Sequence, residues 1–156
     1  MNVSMQDGFN LGWKLGAVVT GIADAAHQER ATGFPIGKRF KSAPVTRAAD
    51  GNVVHLGHHA RADGRWRIYA FADADGTRVP AIFRPRTGPL HLTDWEKVFA
   101  AAPNRWNATD IYAERGISRD GAVVVVRPDQ YVAGVFPLDG VDGVQELAVF
   151  FDAWLL

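Results

Sequence analysis

Cysteine is absent from this chain. That excludes disulfides, thiolate metal sites and CxxC redox chemistry, and it fits a reducing cytoplasm. No long apolar run is present: the most hydrophobic opening stretch is interrupted by Gln6, Asp7, Asn10 and Lys14, which argues against a signal peptide or a membrane span. Excess charge is missing too. Seventeen basic residues balance seventeen acidic ones, so nothing in the charge points to nucleic acid or to an anionic membrane. Repeats and low-complexity tracts are lacking, and neither a glycine-rich dinucleotide loop nor a local Ser, His and Asp signature occurs. What is there, 156 residues with 47% hydrophobic and 22% charged, is enough for one ordinary soluble domain with its own core.

The most informative stretch is MNVSMQDGFNLGWKLGAVVTGI, residues 1–22. Ser4 and Asp7 have capping-box spacing, which predicts a helix starting near Met5. Leu11, Leu15 and Val19, with Val18 and Ile22 beside them, form one apolar stripe of that helix. Gly8, Gly12 and Gly16 line another face, each costing about 1 kcal/mol against alanine, so a close neighbour is expected there, either a packed helix or sheet or a ligand. Before the cap, the main-chain N–H groups of Met1, Asn2 and Val3 would gather at the positive end of the helix dipole, where negative charge is stabilised by ~0.3–2 kcal/mol.

MNVSMQDGFNLGWKL resembles the segment GMN-x-S-MQD-x-x-NLGWKLA of FAD-dependent aromatic hydroxylases of the phenol 2-monooxygenase type, with Asn10 to Lys14 matching in an unbroken run. The resemblance implies that this helix start lies under the pyrimidine edge of the flavin. The main chain of Met1 and Asn2 would then face N1 and O2, and Met1, Asn2, Val3 and Ser4 would be the cofactor-binding residues. Supplying electrostatics to that edge is the protein's part in flavin chemistry. GKRFKSAPVTR, residues 37–47, is similar to the point where the family's C-terminal domain begins, although a much longer segment normally precedes it. HLGH, DGRWRIYAFAD and RGISRDGAVVVVRPDQYVAGVFPLD resemble blocks of the same domain, which in the family is thioredoxin-like and serves structure and homodimer contacts.

The expected organisation is therefore α/β: residues 1–24 a remnant helix of an FAD-binding domain, 25–48 a Pro- and Gly-broken connector, and 49–156 a thioredoxin-like C-terminal domain. That layer is left incomplete, because a helix and strand usual after Asp75 are missing. Strands are expected at Val53–Leu56 and Trp66–Phe71, the second covered on both faces. Thr93 and Glu96 predict a short helix through Trp95, Val98, Phe99 and Ala102, stopped by Pro103. A strand is expected at Asp110–Ala113. A hairpin should follow, Ala122–Val126 and Tyr131–Val135, turning on Pro128 and Asp129. A closing helix capped by Asp142 would bury Val144, Leu147, Ala148, Phe151, Trp154 and Leu155.

Other chemistry is thin. His55, His58 and His59 cluster without a helpful Asp, Glu or Cys, so they read as ordinary strand and loop histidines and no metal site is expected. Arg84 and Arg86 read as solvated or salt-bridged. No catalytic residue is assigned, since the family's NADPH-handling and phenol-binding residues have no counterpart here. Two functional expectations follow: part of an FAD-dependent monooxygenase acting on phenolic substrates with NADPH and oxygen, inactive as an isolated chain, or a non-catalytic thioredoxin-like dimerisation module. Neither involves nucleic acid or membrane.

Overall fold

The computed structural model describes residues 27–59, 63–101 and 109–155. The helix expected from Met5 and the site residues Met1, Asn2, Val3 and Ser4 lie outside the described residues. The strands are β1 (Pro44–Arg47), β2 (Val53–His55), β3 (Arg67–Phe71), β4 (Arg86–Thr87), β5 (Leu92–Thr93), β6 (Phe99–Ala100), β7 (Ala122–Val126) and β8 (Val132–Pro137). Among the described residues two α-helices accompany them, α1 (Ile111–Arg115) and α2 (Gly140–Leu155). They form three small antiparallel sheets, ordered β2-β1-β6, β3-β7-β8 and β4-β5, so the chain is a mixed helix and sheet domain.

The β3-β7-β8 sheet is the centre. β7 is alanine and four valines, all buried, and in a pleated strand such a run can only sit between two covered faces. Ala122, Val124 and Val126 point into one cluster with Phe34, Val45, Leu56, Phe71 and Ile111. Val125 points into the other with Leu147 and Phe150 of α2. The β7–β8 hairpin turns on RPDQ as its sequence predicts. Gln130 N–H donates to the Arg127 carbonyl at 2.9 Å, and Gln130 itself takes φ 73°, which tightens the return into β8.

The stretch 25–48, read as a connector, contributes to the core wherever it is described. Ala31, Phe34, Ala43 and Val45 are buried. Gly37 N–H donates to the Val132 carbonyl and Val132 N–H to the Lys38 carbonyl, at 2.8 and 2.9 Å, so this segment closes the outer edge of β8. Phe34 stacks on Phe40 and Phe71, and Phe40 on Tyr69. Proline and glycine break helical and strand periodicity here without preventing burial.

Four expectations are corrected. The segment from Trp95 forms one 3-10 turn, Trp95–Lys97, and then β6, because Phe99 pairs with Arg47 of β1; the sheet edge outcompetes the Thr93–Glu96 capping box, and the residue that does precede the turn, Asp94, makes no side-chain cap bond. Asp110–Ala113 is the start of α1, not a strand. The Asp110 carboxylate accepts from Ala113 N–H at 2.9 Å, and Gly116 ends the helix at φ 53°, a pairing of N-cap and C-terminal glycine that overrides the β-prone Ile111 and Tyr112. β3 is covered fully on neither face: Phe71 alone is buried, while the face bearing Trp66, Ile68 and Ala70 is only partly covered. It stands at the rim of its sheet, and Ile68 is 45% exposed. α2 begins at Gly140, with Asp142 inside its first turn. It buries Leu147 and Phe150, while Ala148 is exposed; Trp66 meets Phe150 and Phe151 edge-on.

Replacing the α1 cap is expected to be measurable. Burial pushes the Asp110 carboxyl up, but the Ala113 amide and the Arg119 guanidinium outweigh it and hold the group below its usual value. A depressed carboxylate stabilises the fold above its unfolded value, and that contribution fades as pH falls through the folded one. Asp110→Ala should therefore cost about 1–2 kcal/mol at neutral pH. Denaturant titrations of both proteins should show the gap narrowing well below pH 4, roughly the ordinary carboxylate range; an unchanged gap would mean that the charge plays no part.

Candidate functional site

A cavity of about 750 Å³ runs along β3. Its floor is Tyr69 and Phe71 with Tyr112 of α1, and its far wall is Phe83, Trp95 and Phe99 from the excursion between Asp75 and Ala101. No described strand pairs with the edge of β3 away from β7. The cavity lies beside the loop that follows β3, with Ala72, Asp73, Ala74 and Gly76 on its lining.

Most polar groups here are engaged. Tyr112 hydroxyl donates to the Ala72 carbonyl at 2.8 Å, and the Arg119 guanidinium lies 4.3 Å over its ring while pairing with Asp110 at 2.6 Å. Asp73 accepts from Arg78 N–H at 3.0 Å and Thr77 Oγ1 at 3.3 Å, which folds the loop after β3. Burial pushes the Tyr69 phenol up to about 12, so it stays protonated at any physiological pH and can act only as a neutral hydroxyl. Such a slot suits apolar or aromatic surface.

The histidines do not converge. The His55 and His58 rings are 5.3 Å apart and tilted, and the His59 ring packs 5.0 Å from that of Phe99. Among the described residues no three His, Cys, Asp or Glu could hold a metal ion. Arg86 Nη1 donates to the His91 carbonyl at 2.9 Å within its own hairpin, and Arg84 lines the cavity. Sequence reasoning missed the cavity itself. Its signal was the pair of aromatics Tyr69 and Phe71 on one face of β3.

The phenol hydroxylase C-terminal dimerisation domain model matches residues 11–77 and 72–156. This chain belongs to that family. The 3-hydroxybenzoate 4-monooxygenase of Comamonas testosteroni is 38% identical over 168 aligned positions, covering 73% of this chain and 26% of that protein. The FAD-dependent monooxygenase terD of Aspergillus terreus is 25% identical over 195 positions, covering 89% of this chain and 31% of that one. The chain thus spans between a quarter and a third of the length of these relatives. Both alignments are longer than the chain residues they contain, so each relative carries inserted residues with no counterpart here. The family model also breaks into two matches at residues 72–77, at the end of β3, where the cavity opens.

The relatives imply a flavin cofactor, and the described residues do not fit a whole FAD. A dinucleotide needs a phosphate-cradling glycine loop opening a helix; among the described residues no such loop occurs, and the cavity along β3 is lined mainly by apolar and aromatic side chains. Among the described residues no helix is long and apolar enough to cross a membrane.

Proposed function

We propose that this chain is the flavin-edge helix and dimerisation domain of an FAD-dependent aromatic monooxygenase. In the complete enzyme NADPH and oxygen would serve hydroxylation of a phenolic ring in the cytoplasm. The observation that carries the reading is the family match across both halves of the chain, joined to relatives named as flavin-dependent and aromatic-ring monooxygenases. Within it, the main chain of Met1, Asn2 and Val3 and the Ser4 cap supply hydrogen-bond donors to the electron-rich edge of the flavin, where the bound cofactor would supply the oxygen-activating chemistry. The β3-β7-β8 sheet with α2 on one face supports a thioredoxin-like layer that lacks a helix and a strand after Asp75. Its role is homodimer formation, not redox exchange, since cysteine is absent.

A second reading, a stand-alone dimerisation module, is favoured by the lack of a dinucleotide cradle among the described residues. Two measurements separate them. DNA upstream of the Met1 codon is expected to carry an in-frame GxGxxG; a stop codon there would leave the stand-alone module. The chain by itself, mixed with FAD and desalted, is expected to emerge without flavin absorbance at about 450 nm, whereas a version extended upstream should emerge yellow. Flavin retained by the isolated chain would overturn this division of labour.

A further inference from the structure

We infer that the Pro80–Trp95 excursion is the surface that a second copy of this chain covers. The inference rests on the dimerisation reading above and adds where the contact lies. Among the described residues seven large apolar side chains are exposed, and four fall in this one stretch: Ile82 at 69%, Leu90 at 78%, Leu92 at 63% and Trp95 at 59%. The stretch is a hairpin of two two-residue strands, β4 and β5, joined by the pairs Arg86↔Thr93 and Thr87↔Leu92. All four of these residues are exposed, and the hairpin joins no other sheet. A two-stranded hairpin is marginal in water without a covered apolar face. Its loop also holds His91 at φ 50°, a conformation that non-glycine residues adopt at a cost.

The area decides between incidental exposure and an interface. The four side chains together present on the order of 500 Å² of apolar surface, at the upper end of what monomeric proteins leave bare. Doubled across a two-fold axis, that is about 1,000 Å², the lower bound for a specific contact. A two-fold contact uses the same patch on both copies, so a single apolar patch suffices. The matched family is one of dimerisation domains, which makes the occupant a second copy of the chain.

Sedimentation equilibrium of the full chain tests this. The unaltered chain is expected to be a dimer. Leu90→Glu with Leu92→Glu places four carboxylates at the two-fold contact, and the dissociation constant should rise roughly a hundredfold or more. Val149→Glu, exposed on α2, should leave it unchanged. If the double variant loses its native circular dichroism, Ile82→Lys takes its place with the same expected weakening. Variants that dimerise like the parent overturn the assignment of the surface while leaving the dimerisation reading in place. A parent chain that is monomeric at every concentration overturns both.

Discussion

Phe34→Ala is expected to remove about 3–5 kcal/mol of folding stability. Phe34 is 1% exposed. Its ring stacks on Phe40 at 4.7 Å between centroids and 3° between planes, and lies 5.7 Å from Phe71. Through those two rings it joins the segment ahead of β1 to the floor of the central sheet. Truncation loses the burial of a whole aromatic ring and leaves a void whose walls include strand residues that cannot collapse onto it. Total stability of such domains is about 5–15 kcal/mol, so the variant should sit near the limit of folding, its midpoint lower by roughly 10 °C or more. Urea unfolding with an unchanged slope would measure it. A loss under about 1 kcal/mol would mean that residues 27–43 are an appendage and not part of the core.

Gly33→Ala should cost about 2–3 kcal/mol for a different reason. A β-carbon at Gly33 would stand 2.5 Å from the Arg115 carbonyl oxygen and 2.6 Å from its α-carbon. Both are main-chain atoms at the end of α1, so no rotamer change can make room. The segment must back away, and with it go the bonds from Gly33 N–H to the Arg115 carbonyl at 2.8 Å and from Thr32 N–H to the Gly116 carbonyl at 3.1 Å. Native-state hydrogen exchange at Thr32 and Gly33 should quicken more than the global loss explains. Unchanged exchange together with a loss under about 0.5 kcal/mol would refute the tight crossing.

How legible this was depended on whether one signal or two competed. RPDQ between valine-rich runs had no rival, so the hairpin and its turn were readable, with the first strand placed as expected and the second running Val132–Pro137 where Tyr131–Val135 was expected. The closing helix was readable as an element, but its face was placed one step off: Phe150 is buried where Ala148 was expected, since both suit a helix and only α2's packing against Val125 and Ala133 selects the register. Trp95 and Asp110 failed symmetrically. A capping box at Thr93 lost to pairing with β1, and β-prone Ile111 and Tyr112 lost to a capped turn. The first outcome is set by a partner distant in the chain, information local propensity does not hold, and the second by the local cap Asp110 with Gly116, which outweighs the β propensity of two residues. The proposed flavin-edge residues Met1 to Ser4 rest on a capping-box pattern and a resemblance, and they fall outside the described residues. The cavity was harder to read, because Tyr69 and Phe71 meet Phe83, Trp95 and Phe99 only once distant segments have folded together.

The placement of β7 has a consequence for how the chain must be handled while it is being made. Five successive apolar residues with no charge or proline among them form the sort of segment that stacks with copies of itself. In the native state both neighbours of β7 are already taken, by β3 and β8, and the weakly protected rim of the sheet lies elsewhere. Nascent or heat-damaged molecules, not folded ones, therefore carry the hazard of fibrous aggregation, and whatever delays β3 in reaching its partner across the long intervening loop prolongs it.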